Sequence, residues 1–226
     1  MNYESAELHA VTGPAIRPGG VELTARALEF CSFPDSARLL DVGCGSGASV
    51  EYLRDHHHLN AAGVDMSSRL LRDGKSRVAS LPLVLGNAER LPFGDESLDG
   101  ILCECVLSLL PDAECALTEF CRILRPGGRL ILSDVYMRES GENQCHGENS
   151  TDGCLKGAVA YPVTKKMLEE SGFTVLFWED HTPLLKELAA RLVLADVASA
   201  VFCGEYKKAG DGYQRPGYYL LVARKD

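Results

Sequence analysis

Asp41-Val42-Gly43-Cys44-Gly45-Ser46-Gly47 follows the apolar pair Leu39-Leu40 and leads into a helical pattern. Glycine at every second position sets a turn without Cβ atoms between a buried strand and a helix N-terminus. A small polar ligand can lie there on main-chain N–H groups. The spacing G-x-G-x-G differs from the G-x-G-x-x-G of dinucleotide folds and from phosphate loops, and the turn holds no Lys to meet a phosphate. Asp65 closes a second apolar run 18 positions beyond Gly47. One carboxylate can accept bonds from both hydroxyls of a ribose, or it can cap the helix that follows. Asn87 and Ala88 follow the short run Leu83–Leu85. An amide there can pair with a purine's exocyclic amine while a neighbouring N–H meets a ring nitrogen, or the pair is simply a polar turn.

Strands and helices must alternate to bring these residues to one rim. Apolar periodicity and breakers predict strands over 38–42, 61–65, 83–85, 98–103, 129–135, 173–178 and 218–224. Helices are expected over 21–31, 46–54, 67–79 with Ser67 as N-cap, 113–124 ending at Arg125-Pro126-Gly127-Gly128, 164–171 and 183–200. Repeated strand–helix–strand units imply an α/β, Rossmann-like, mostly parallel sheet with helices on both faces. Ligands in such sheets sit beyond the carboxyl ends of the strands. The polar stretch 138–153 reads as a long loop of the kind that carries function.

The 226 residues fit one domain. A net charge of −9 disfavours nucleic acid and anionic membranes as partners. No run reaches the length of a membrane span, and Met1-Asn2-Tyr3-Glu4-Ser5 lacks a signal pattern, so a cytoplasmic chain is expected. Nine cysteines without a C-x-x-C pair fit reduced thiols, most of them small core residues, rather than a zinc site. His56-His57-His58 cannot converge on one ion, because consecutive helical positions diverge by about 100°, so no metal site is expected.

The strand-end residues, in this order and at these distances, resemble class I S-adenosylmethionine-dependent methyltransferases of the type 11 kind, over about 36–135. The resemblance implies seven strands, the last antiparallel. It implies a single domain with an N-terminal helical cap (1–35), a donor-binding core (36–136) and an acceptor side (137–226). It also implies S-adenosyl-L-methionine as cofactor. Asp41, Gly43, Cys44, Gly45 and Gly47 would face its methionine end, Asp65 and Met66 its ribose and adenine face, Asn87 and Ala88 the adenine edge, and Cys103 would lie just below the sulfonium. Arg17, in Ile16-Arg17-Pro18-Gly19-Gly20, would face the donor carboxylate from a closing segment.

The expected activity is methyl transfer to a small-molecule acceptor by a monomer or homodimer. Where the acceptor needs a base, Glu104, His146, Tyr161 and Asp134 are the candidates. Ser133-Asp134-Val135-Tyr136, Gly153-Cys154-Leu155-Lys156-Gly157-Ala158 and Cys105-Val106 before Leu110-Pro111-Asp112 resemble arsenite methyltransferases. That resemblance implies Cys105 and Cys154 as thiolate ligands for a soft, thiophilic centre, although Glu104 stands where that family carries an amide. A binding module that holds the donor without turnover, and an oxidoreductase on a Rossmann sheet, are the competing classes. The glycine spacing speaks against the second.

Overall fold

The computed structural model describes residues 3–138, 155–197 and 215–226. The strands are β1 (Arg38–Val42), β2 (Asn60–Asp65), β3 (Leu83–Leu85), β4 (Leu98–Glu104), β5 (Leu124–Arg138), β6 (Phe173–Asp180) and β7 (Arg215–Lys225). They form one seven-stranded sheet in the order β3-β2-β1-β4-β5-β7-β6. β1 pairs in parallel with β2 and β4, and β4 with β5, whereas β7 runs antiparallel to both β5 and β6. The expected antiparallel last strand is therefore present, inserted between β5 and β6.

The helices are α1 (Ala6–Thr12), α2 (Gly20–Cys31), α3 (Ala48–His57), α4 (Ser68–Arg77), α5 (Ala113–Ile123), α6 (Tyr161–Glu170) and α7 (Thr182–Leu194). Alternate residues of each central strand face opposite layers. Leu40, Val42, Ile101 and Leu132 pack with Leu117 and Phe120 of α5 and Leu168 of α6. Leu39, Leu102 and Ile131 pack on the other face with Ala27 of α2, Leu53 of α3 and Leu185 of α7. Every residue of β4 is buried, as its apolar run requires of a strand covered on both faces. α1 docks on α7 through Leu8, Leu188 and Leu192.

Several boundaries differ from those the sequence predicts. α3 starts at Ala48 because Gly47, at φ 80°, is its left-handed N-cap. Leu124 already pairs with Leu98, so β5 begins there; the register then shifts, and Arg125–Gly128 bulges out before Arg129 pairs with Gly100. α7 ends at Leu194, before the predicted limit of 200. α1 has no counterpart in the sequence reading beyond a helical cap; Ser5 caps it by accepting from the Leu8 N–H. The Ser67 cap expected for α4 is observed. His56 and His57 pack beside the Tyr52 ring at the end of α3, and no group of metal-ligating side chains occurs among the described residues.

Candidate functional site

The carboxyl ends of β1, β2, β3 and β4 meet at one rim. β1 delivers Asp41 and then the glycine turn. The turn packs tightly on β4's exit: Gly43 has φ 73°, and a Cβ there would lie 2.2 Å from Val106 Cγ2. Its upper side is open. A Cβ on Gly45, at φ 54°, would meet nothing nearer than Leu70 Cδ1 at 4.0 Å.

Asp65, at the tip of β2, points at this turn. Its Oδ2 accepts from the Gly45 N–H at 2.7 Å, and its Oδ1 from the Ser67 N–H at 2.7 Å. The Asp65 carboxylate thus ties the glycine turn to the start of α4 through one accepted bond on each oxygen.

One expectation is corrected here. The main-chain N–H groups of Gly43, Cys44, Gly45 and Gly47 do not lie open to a ligand. Those of Gly43 and Cys44 donate to Val64 O, that of Gly45 to Asp65, and that of Gly47 to Cys44 O. The turn folds back on the end of β2 and satisfies these four donors.

Other expected site residues divide by depth. Met66 is 79% exposed beside Asp65, an open apolar face at the rim. Asn87 is exposed, and its Oδ1 accepts from the Glu89 N–H at 3.0 Å, which leaves the amide NH2 pointing elsewhere. Ala88 is buried behind it. The Cys103 side chain is fully buried in the core under the rim, so it supports the site and does not line it. Cys44 turns its thiol toward the sheet, where a Cβ on Gly63 would lie 2.6 Å from its Sγ. Burial pushes Cys31 up to about 12, as befits a core thiol. His146 and Cys154 lie outside the described residues.

The N-terminal segment lies across the same rim. Glu4 Oε1 accepts from Ser67 Oγ at 2.6 Å, Pro14 O accepts from Ser46 Oγ at 3.4 Å, and Arg17 reaches Glu104 at 2.9 Å. Arg17 and Glu104 are almost wholly buried, with side chains 8% and 2% exposed. Asp41 shares their surroundings. Burial first, then Glu104, raises its carboxyl well above the ordinary range against the pull of Arg17.

At the end of β4, Cys105 has φ 58°, and its thiol lies 3.0 Å from the Tyr218 hydroxyl. Tyr218 in turn donates to Ser133 Oγ at 3.2 Å. Asp134 is buried and accepts from the Ser108 N–H, the Ser108 hydroxyl and the Val135 N–H, which ties the short 3-10 turn 107–109 to β5. Burial pushes its carboxyl up to about 6, against those hydrogen bonds. The folded chain therefore holds its proton more tightly than the unfolded chain does. Asp134's contribution to stability is full below the ordinary value near 3.8 and is lost as pH rises through about 6. Between about pH 4 and pH 7, wild type should lose about 2 kcal/mol relative to Asp134→Asn, measured by urea unfolding of both proteins at each pH. A constant difference between the two would show that Asp134 keeps an ordinary pKa.

A cavity of about 540 Å³ opens between α2, α3 and α7, with Arg17, Glu51, Tyr52 and Leu188 in its wall. It shares Arg17 with the rim but touches neither the glycine turn nor Asp65, so it is a separate hollow behind α3.

The methyltransferase domain family matches residues 40–132, the segment that carries β1 to β5 and the glycine turn. Over that segment the chain is similar to methyltransferase domains, and similarity to a named methyltransferase runs along most of its length. It is 31% identical over 155 residues to an arsenite methyltransferase of Halobacterium salinarum, a match covering 64% of this chain and 39% of that protein. It is 28% identical to the methyltransferase GfsG of Streptomyces halstedii, over 91% of this chain and 80% of that one. Among solved structures, the [4+2]-cyclase SpnF superposes with a TM-score of 0.71 at 26% identity, covering 90% of this chain and 80% of that one. Phosphoethanolamine N-methyltransferase 2 of Haemonchus contortus, solved with S-adenosyl-L-methionine, gives 0.74 at 18% identity over 97% of this chain and 56% of that one, a likeness of fold. The chain spans 39% and 54% of the lengths of the first two curated relatives it matches.

Sequence reasoning read Glu104 by residue type as a possible base and missed its pairing with Arg17. A usable signal was present. Leu102 and Glu104 share one face of an apolar strand, and an acid on such a face demands a buried cation.

Proposed function

We propose that the chain transfers the methyl group of S-adenosyl-L-methionine to a small-molecule acceptor. The observation that carries this reading is the open space above Gly45, where an added Cβ would meet nothing nearer than Leu70 Cδ1 at 4.0 Å, next to Asp65, which accepts the Gly45 N–H. The residues present suit the donor: Asp65 for the ribose hydroxyls, Met66 for an adenine face, Asn87 at the adenine edge and acidic groups near Asp41 for the methionine end. The donor, when bound, supplies an electrophilic methyl on a sulfonium. The protein's part is to align and to exclude water. The buried strand ends beneath the rim keep its floor dry, and the segment 3–17 covers it from above.

Because a cyclase carries the same fold, donor binding and turnover need separate measurements. Calorimetry with S-adenosyl-L-methionine is expected to show 1:1 binding, and thermal shift should favour it over NAD and NADP. Absence of heat would overturn the reading. Binding without transfer across a broad acceptor panel would favour the non-catalytic donor-binding module.

A second reading, metalloid methylation, is favoured by Cys105. Its thiol sits beside Tyr218 on the acceptor side of the rim, and the similarity to an arsenite methyltransferase extends beyond the donor core. Arsenite methylation with excess thiol should then be lost in Cys105→Ser and in Cys154→Ser. Equal rates in wild type and both variants would remove this reading.

A further inference from the structure

The hollow between α2, α3 and α7 takes no part in the donor site, yet its volume of about 540 Å³ is that of a small-molecule pocket. Leu184, Leu188 and the Tyr52 ring give it an apolar side. Glu22, Glu51, Asp55 and Glu187 add carboxylates, and Arg17 and Arg191 add guanidinium groups. These charges do not cancel. Arg17 is spent on Glu104 at 2.9 Å, and Glu51 is paired with Arg77 from outside the hollow. Glu22, Asp55 and Glu187 make no ion pair among the described residues. Arg191 is the one guanidinium left to face them, and its Nη2 donates to Val11 O. With His56 neutral, two negative charges remain in excess. Leu188 is buried, whereas Asp55 and Glu187 are exposed, so an apolar floor lies beneath an acidic mouth.

An ammonium group at that mouth meets carboxylates that are free to accept its hydrogens, while its carbon skeleton covers the apolar floor. The Tyr52 ring adds attraction for a cation. An anion of the same shape meets repulsion instead. The hollow also shares a wall with the donor rim. Thr12, Pro14, Ala15 and Arg17 line it from the N-terminal segment. Toward the rim, the same segment offers Pro14 O to Ser46 Oγ at 3.4 Å and Arg17 to Glu104. Gly13, at φ 72°, and Gly20, at φ 48°, bracket this stretch, and an added Cβ on either would meet nothing within 4 Å. A ligand in the hollow finds its full wall only while the segment lies on the rim, so it favours the covered state.

We propose that this hollow is an effector site for a small organic amine with an apolar or aromatic skeleton, and that its occupation strengthens donor binding by holding segment 12–17 on the rim. The second part rests on the donor-binding reading above; the first stands without it. Linkage between two ligands is reciprocal, so the donor tightens the amine by the same factor.

Phenethylamine is the probe and 3-phenylpropionate its control, since the two share a phenylethyl skeleton and differ in charge. Calorimetry on the full chain is expected to give phenethylamine a Kd of about 1 mM or below, at least tenfold tighter than 3-phenylpropionate. Asp55→Asn combined with Glu187→Gln should weaken the amine at least tenfold; both side chains are exposed, so the fold is not at stake. Glu169→Gln combined with Glu170→Gln makes the same charge change on α6 and should leave the amine's affinity as it is. Affinity for S-adenosylhomocysteine should rise at least threefold in the presence of saturating phenethylamine, and should not rise in the Asp55/Glu187 variant. Equal binding of amine and acid, binding of neither, or equal losses in the two double variants would overturn the site. An unchanged S-adenosylhomocysteine affinity in the amine-loaded protein would overturn its effector role. If wild type binds phenethylamine but no S-adenosylhomocysteine, the donor reading fails and the amine site stands.

Discussion

Asp65→Ala is expected to weaken donor binding by a factor of about one hundred to one thousand. The carboxylate does three things at once. It accepts the Gly45 N–H and the Ser67 N–H, and in the proposed complex its remaining lone pairs meet the ribose hydroxyls. Removing it leaves two main-chain donors without their charged acceptor, frees the turn from α4, and deletes the ribose contact. Hydrogen bonds to a charged group contribute about 1.5–3 kcal/mol each. Losing the ligand contact and part of the turn's preorganisation therefore amounts to about 3–4 kcal/mol, which is the stated factor in affinity. Ser67→Ala separates the roles. It removes the α4 cap, for about 1 kcal/mol of stability, while Asp65 stays in place, so donor affinity should change little. Calorimetry on both variants, with urea unfolding alongside, decides it. Unchanged affinity in Asp65→Ala would mean that the donor lies elsewhere.

That Asp65 faces the turn could be read from the sequence because it follows from local rules. A strand that ends in an acid beside a Gly-rich turn leaves the acid at the rim, and parallel βαβ units put successive rims on one side. The order of elements was legible for the same reason, as was the Ser67 cap. What escaped depends on contacts between distant layers. Arg17 lies in the N-terminal segment and Glu104 on the central strand, and only the packing of α2 and α3 on that strand joins them. The fate of the turn's N–H groups also escaped, because Val64 O accepts two of them only once β2 is in register with β1. Bulges hide in the same way: Arg125-Pro126-Gly127-Gly128 has the composition of a turn, yet β4 pairing on both sides draws it into β5.

Gly43 and Gly45 both have positive φ, and alanine at each should fail for a different reason. At Gly43 the added methyl would lie 2.2 Å from Val106 Cγ2 and 2.9 Å from Cγ1. The left-handed backbone adds about 1–2 kcal/mol, and overpacking adds about 1–3 kcal/mol. Gly43→Ala should therefore lose about 3–4 kcal/mol of stability. Val106→Ala removes both clashing methyls and leaves Val106 Cβ at 3.1 Å. The double variant should recover the packing part, about half the loss, and keep the backbone part. At Gly45 the methyl meets open space, so Gly45→Ala should lose only the backbone strain, about 1–2 kcal/mol, and should melt only a few degrees lower. Its methyl then occupies the volume over the turn, and donor affinity should fall by at least tenfold in a protein that is otherwise folded. Stability and affinity thus separate across the pair: position 43 governs whether the turn can form, and position 45 whether anything can lie on it. Were Gly45→Ala to bind the donor as wild type does, the ligand would not rest on this turn.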